Sequence, residues 1–362
     1  MTTIRVALEG SPYKDVLHYD MWPWMGTREK PDFGRMNEAY WKEVERRILL
    51  AGQEGIGINL TIYFTFKPSE KDIPSQQLYW QTIIKRLSKF PNIICWEIMN
   101  EYANNEKFQD VAGEYFVKND PYKRPVISSD GTTDDALWAD KPWMGMAIVH
   151  TCTGSGPPYD LETWYSAIAR NTRSHGKPAF NNETGREIRH KNDDGVHRRK
   201  QSWLSNTAGC FWTHHTWDGC EGINDTLYVS PGQEFLKPMS DFFHAIPFWT
   251  LNPNYTVCRV TSDTLIQNTL CDPRRDFAIS YICTRQTGRE IEGAGALMRF
   301  PDGEYKIEFF DPSVYQKISE TTVTSKSLRN TYPVIIPKFK DDVLLKITKI
   351  KAEAKTIIPG TE

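Results

Sequence analysis

No apolar run in this 362-residue chain approaches the ~18 residues that a membrane span needs, and neither sign of charge is in excess. Lys and Arg number 44 against 46 Asp and Glu, a net charge of −2. That balance argues against a nucleic-acid or other polyanion binder held by bulk charge. Cysteine is sparse: seven residues, at 95, 152, 210, 220, 258, 271 and 283, with no CxxC pair. An odd count without that spacing argues against a disulfide framework or a structural zinc site. No GxGxxG or GxxxxGK[ST] follows any strand-like segment, which removes the main reason to expect a nucleotide-binding sheet. A leader is missing too, because Met1-Thr-Thr runs straight into β-type Ile4–Leu8. Such a start suggests lost upstream sequence or an artificial first residue, so secretion or a periplasmic location is left open.

What is present is a long strand-then-helix alternation. Apolar segments suited to buried parallel strands are Ile4–Leu8, Ile58–Phe66, Ile93–Met99, Pro125–Ser128, Met144–His150, Pro178–Asn181 and Gly209–Thr213. Between several of them lie helical periodicities, such as Tyr40/Val44/Ile48, Trp80/Ile83/Ile84/Leu87 and Phe108/Val111/Ala112/Tyr115. Alternation of this kind means parallel pairing through right-handed crossovers. With no nucleotide fingerprint, a (β/α) barrel is preferred over an open sheet. After Pro247-Phe-Trp249 the pattern changes to short strands with turn punctuation, Pro301-Asp-Gly303 being the clearest hairpin signal. The expected organisation is therefore a barrel over residues 1–248 and a C-terminal β-sandwich over 249–362.

In a barrel, chemistry sits where the strands end. Those ends present Glu9, Asn100-Glu101, Asp130, His150, Glu183 and the stretch Trp212–Trp217. Two glutamates from different strands converging on one mouth are what glycosidic cleavage needs: one acid protonates the leaving oxygen while the other carboxylate attacks the anomeric carbon. A single glutamate after a strand is more often a solvated loop residue, so the weight lies in the pairing. Twelve tryptophans add sugar-stacking capacity, and Trp22 and Trp24 share one long aromatic mouth loop where stacking and packing are equally good readings. Asp130 suits a turn better than a ligand. His214 and His215 are adjacent, point to opposite strand faces and have no third partner at metal-ligand spacing, so no metal and no cofactor is expected. Glu97 shares a strand face with Met99 and is expected to brace the interior.

Cys95-Trp-Glu-Ile-Met-Asn100-Glu101 resembles the fourth-strand signature of the large clan of retaining (β/α)8 glycoside hydrolases. The resemblance implies Glu101 as the acid/base and Asn100 as a ligand of a substrate hydroxyl. Pro178-Ala-Phe-Asn-Asn-Glu183 resembles the seventh-strand segment and places the nucleophile at Glu183. Arg5 resembles the second-strand arginine that braces it and keeps it ionised, a structural ion pair inside the barrel being an equally good reading, and Trp212 and Trp217 fall in the segment that floors the sugar subsite. His150 is expected near the nucleophile or a substrate hydroxyl, a packed, hydrogen-bonded histidine being at least as good a reading. By this count Ile4–Leu8 is the second strand and the first is missing, so the chain is truncated or another segment closes the barrel. The trailing β-domain, with Phe310-Asp-Pro312, is similar to apiosidase-like barrels that carry a C-terminal domain. The implied activity is double-displacement cleavage of a poly- or oligosaccharide. An inactive carbohydrate-binding barrel or a truncated enzyme fragment is the alternative, and the sequence leaves the oligomeric state open.

Overall fold

The computed structural model describes residues 3–9, 21–131, 133–151, 160–184, 195–215 and 231–350. The chain forms two compact units, Met1–Lys237 and Pro238–Glu362. The helix Leu236–His244 carries Phe242, packed edge-on against Tyr315 at 5.1 Å.

The first unit is a mixed α/β, TIM-barrel-like domain. Its strands β1 (Thr3–Ala7), β2 (Gly57–Tyr63), β3 (Ile93–Met99) and β4 (Val126–Ile127) pair in parallel in that order. A second parallel arc contains β5 (Ala147–His150), β6 (Ala179–Glu183) and β7 (Cys210–Trp212). One parallel bridge, Val126 to Met144, links the arcs. In a flat sheet of this order β1 and β6 would lie roughly 24 Å apart, at ~4.8 Å per strand. Instead the Arg5 side chain on β1 hydrogen-bonds Glu183 on β6 at 2.9 Å, so the sheet curls and both residues face its interior. Below them Cys95, Ile127 and Ile148, from three strands, fill that interior together with Phe180.

The helices pack outside because one stripe of each is apolar. Helix α1 (Glu38–Gln53) starts at Asn37, whose side chain accepts the Tyr40 N–H, and buries Tyr40, Trp41 and Ile48. Helix α2 (Ile73–Leu87) buries Tyr79, Trp80, Ile83 and Leu87, and α3 (Glu106–Asn119) buries Phe108, Ala112 and Phe116. Helix α4 (Ile168–Ser174) continues a π-helical stretch, Thr163–Ala167. Helix α5 (Gly195–Thr207) carries no apolar periodicity that would mark it in the sequence. It is buried nonetheless, and its Arg198 guanidinium donates to the His215 carbonyl at 2.6 Å. No helix among the described residues is long and apolar enough to cross a membrane.

The second unit is antiparallel. Its larger sheet orders Asn252–Pro253, Leu265–Cys271, Phe277–Thr284, Asp342–Ile350, Gly303–Asp311 and Gln316–Ser325. A three-stranded sheet combines Cys258–Val260, Gly295–Met298 and Tyr332–Ile335. Met298 and Val334 of the small sheet share one core with Ile282, Ile307 and Val343 of the large one.

Candidate active site

The strand ends bring Arg5, Glu97, Asn100, Glu101, His150 and Glu183 to one place. Arg5 is the hub. Its Nε and one terminal nitrogen hold Glu97 at 2.7 and 2.6 Å, and the other terminal nitrogen holds Glu183 Oε2 at 2.9 Å. It also donates to Asn100 Oδ1. Glu97 is fully buried and accepts further bonds from Thr61 Oγ1 at 2.8 Å and Ser129 Oγ at 2.9 Å. Burial works against its charge, yet the Arg5 guanidinium prevails and holds the carboxyl below its usual range. Bidentate pairing of this kind fixes the guanidinium plane, so the third bond is aimed at Glu183.

Glu101 follows β3 in a left-handed backbone conformation, φ 46°. That region costs a non-glycine residue of order 1–3 kcal/mol and persists where surrounding contacts impose it. Here the Glu101 N–H donates to Ser129 Oγ at 3.2 Å, and the Asn100 N–H donates to the Tyr63 carbonyl at 2.9 Å. The two carboxylates have different surroundings: the Glu101 side chain is 31% exposed and that of Glu183 only 4%. His150 lies between them. A register irregularity after Val149 sets it opposite Glu183, and its Nδ1 is 3.1 Å from Glu101 Oε1 and 3.7 Å from Glu183 Oε2. A proton on Nδ1 lets the ring donate to the carboxylates. It also leaves buried Nε2, which has no hydrogen-bond partner among the described residues, as a bare acceptor. One donor atom each from Glu101, His150 and Glu183 lies within 4.8 Å of the others. Such a trio could in principle hold a cation, but the Glu183 oxygen facing His150 is the one bonded to the Arg5 guanidinium, whose charge opposes it.

The tryptophans fall elsewhere. Trp22 and Trp24 are buried, as the packing reading has it and not the stacking one. Trp24 packs 4.8 Å from Trp22 and 4.5 Å from Tyr79, because the hairpin Trp24–Gly26/Pro31–Met36 turns it inward onto α2. Trp212 is half-buried at the end of β7 and meets His214 edge-on at 5.6 Å. Trp217 lies outside the described residues. Burial pushes the His214 imidazole down to about 3, with Arg198 adding to the effect, and His215 Nδ1 is 2.8 Å from the Thr184 carbonyl. Asp130 makes a turn contact, accepting the Gly131 N–H at 2.8 Å. Burial raises the Cys210 thiol to about 12 and the Cys95 thiol further still, which makes neither a nucleophile. One residue escaped the sequence reading. Lys67, after β2, points its ammonium at the Asn100 carbonyl and lies 5.6 Å from the Tyr102 ring. The position after a strand was its only signal.

Residues 12–224 match the family model described as "Apiosidase-like, catalytic domain". The chain belongs to the apiosidase-like family. Its apiosidase-like domain sits within a wider structural likeness. A solved glycoside hydrolase is 14% identical with a TM-score of 0.67, covering 96% of this chain and 85% of its own. A glycoside hydrolase family 5 structure from Bacteroides vulgatus ATCC 8482 is also 14% identical, with a TM-score of 0.69 and coverages of 96% and 83%. At such identity the likeness is one of fold. No curated protein matches the sequence. The enzyme class expected from the glutamate pair, glycoside hydrolase, agrees with the apiosidase-like membership.

Proposed function

We propose that this apiosidase-like enzyme is a retaining glycoside hydrolase with Glu183 as nucleophile and Glu101 as acid/base. The observation that carries the reading is the close approach of the two carboxylates, whose oxygens lie within 4.8 Å. Retaining enzymes hold the pair at ~5–5.5 Å, whereas inverting ones leave ~6.5–9.5 Å for a water. Glu183, buried and oriented by Arg5, attacks the anomeric carbon. Glu101, more exposed, passes its proton to the leaving oxygen. In the second half-reaction Glu101 takes a proton from water as that water displaces Glu183. Arg5 occupies Asn100 Oδ1, which turns the amide nitrogen of Asn100 toward a substrate hydroxyl as the donor. His150 Nδ1–H steadies both carboxylates as their charges change. Trp212, at the end of β7, supplies the sugar floor.

The substrate class is a poly- or oligosaccharide, and the family description makes an apiosyl bond the first to try. The seven parallel strands described in the first unit belong to a (β/α)8-type barrel, and the two antiparallel sheets of the second unit form a β-sandwich. The stereochemical course tests the mechanism. With an aryl glycoside that the enzyme hydrolyses, proton NMR at early times should show product of the same anomeric configuration as the substrate. First-formed product of the opposite configuration contradicts double displacement.

A further inference from the structure

Glu9 belongs to no part of the mechanism above, yet it is fully buried beside the mouth. One of its oxygens accepts three consecutive backbone N–H groups, from Phe64, Thr65 and Phe66, the last at 2.8 Å. These residues follow β2 directly, and the next is Lys67. The other oxygen of Glu9 has no partner among the described residues. Burial raises the Glu9 carboxyl to about 7 despite those three bonds, so its charge costs the fold stability near neutral pH. A purely structural cap needs no such charge. The charge has a nearby counterpart, because among the ionic interactions of Lys67 the one with Glu9 is the largest. Burial lowers the Lys67 amine, and Glu9 opposes that effect.

We infer that Glu9 is a positioning residue: it clamps the 64–66 backbone and so presents the Lys67 ammonium to the Asn100 carbonyl, which holds Glu101 in its left-handed conformation at the reacting bond. The chain of contacts is short. Glu9 fixes the loop, the loop presents Lys67, Lys67 draws on the Asn100 carbonyl, and Asn100 precedes Glu101. Phe66 seats the loop from below, 5.4 Å from Phe33. Neither Glu9 nor Lys67 needs to touch the bond being cleaved. The effect should therefore fall on kcat and not on KM, because misplacing the acid affects the transition state more than ground-state binding.

The catalytic part of this inference rests on the glycosidase reading, so the test has one readout free of it. Glu9→Gln, Lys67→Met and the double variant are made in the full chain. In protein carrying isotope-labelled lysine, the Lys67 side-chain signal, assigned by its loss in Lys67→Met, should titrate at lower pH in Glu9→Gln than in wild type. The melting temperature of Glu9→Gln should not fall, since the amide keeps one acceptor and removes a buried charge. On an aryl glycoside that the wild type hydrolyses, each single variant should lose about tenfold or more in kcat with KM within about twofold. The double variant should lose no more than the worse single variant, as expected for residues acting as a unit. An unmoved Lys67 titration overturns the link between the two residues, and multiplying rate losses or an unchanged kcat overturn the positioning role. A wild type without glycosidase activity defeats the proposed function instead and leaves the titration to decide the link.

Discussion

Glu183→Gln is expected to cut turnover by about 10⁴-fold or more while the protein still binds carbohydrate. Removing a nucleophile deletes the covalent route entirely, and losses up to about 10⁶ are known for such groups in other enzymes. The amide keeps the size of the carboxylate and can still accept from Arg5, so the barrel interior should stay packed. Ligand affinity, read by calorimetry with a sugar that the wild type hydrolyses, should change little. A binding barrel without catalysis gives the opposite pattern, with no wild-type turnover to lose. Retention of more than about a tenth of the activity would remove Glu183 from the chemistry.

Glu101→Gln should show a loss that depends on the leaving group. General acid assistance is worth about 10²–10⁴-fold, and most of it is needed only when the departing oxygen is a poor leaving group. Turnover of an unactivated disaccharide should fall across that range. A 4-nitrophenyl glycoside should lose much less in its first step, and azide added to Glu101→Ala should restore rate and give a glycosyl azide. Equal losses on both substrates and no effect of azide would contradict the assignment. Stability provides a check on folding. Since φ at Glu101 is 46°, Glu101→Gly removes a strained side chain and should melt no lower than wild type while being equally impaired.

The alternation of strands and helices was legible because buried parallel strands are continuous apolar runs. Ile93–Met99 in particular begins and ends where the sequence places it. The candidate site was legible for a related reason: a polar pair such as Asn100-Glu101 directly after such a run is locally conspicuous. What the sequence concealed is governed by tertiary contacts. Helix α5 buries Arg198 and Lys200, and no apolar period betrays a stripe made of charged stems. Trp22 and Trp24 offered stacking faces, but the short hairpin turns Trp24 onto Tyr79 and Trp22 packs against Trp24. Arg5 could be read as a brace for Glu183 or as a structural ion pair, but that its bidentate partner is Glu97, 92 positions away, no spacing reveals. Lys67 and the Glu9 clamp depend on the path of one loop, which a single sequence does not encode in any spacing.

The central claim is that Glu183 bonds to the anomeric carbon while Glu101 serves the departing oxygen from the other side of the same gap. Its most direct test is mass spectrometry of the intact enzyme and its peptides after exposure to activated 2-deoxy-2-fluoro glycosides of several pentoses and hexoses, an apiosyl compound among them. The account predicts one sugar per protein, attached to the peptide carrying Glu183 through an ester that wild-type enzyme forms and Glu183→Gln does not. A sugar ester on Glu101, on Glu97 or on any other carboxylate would contradict it.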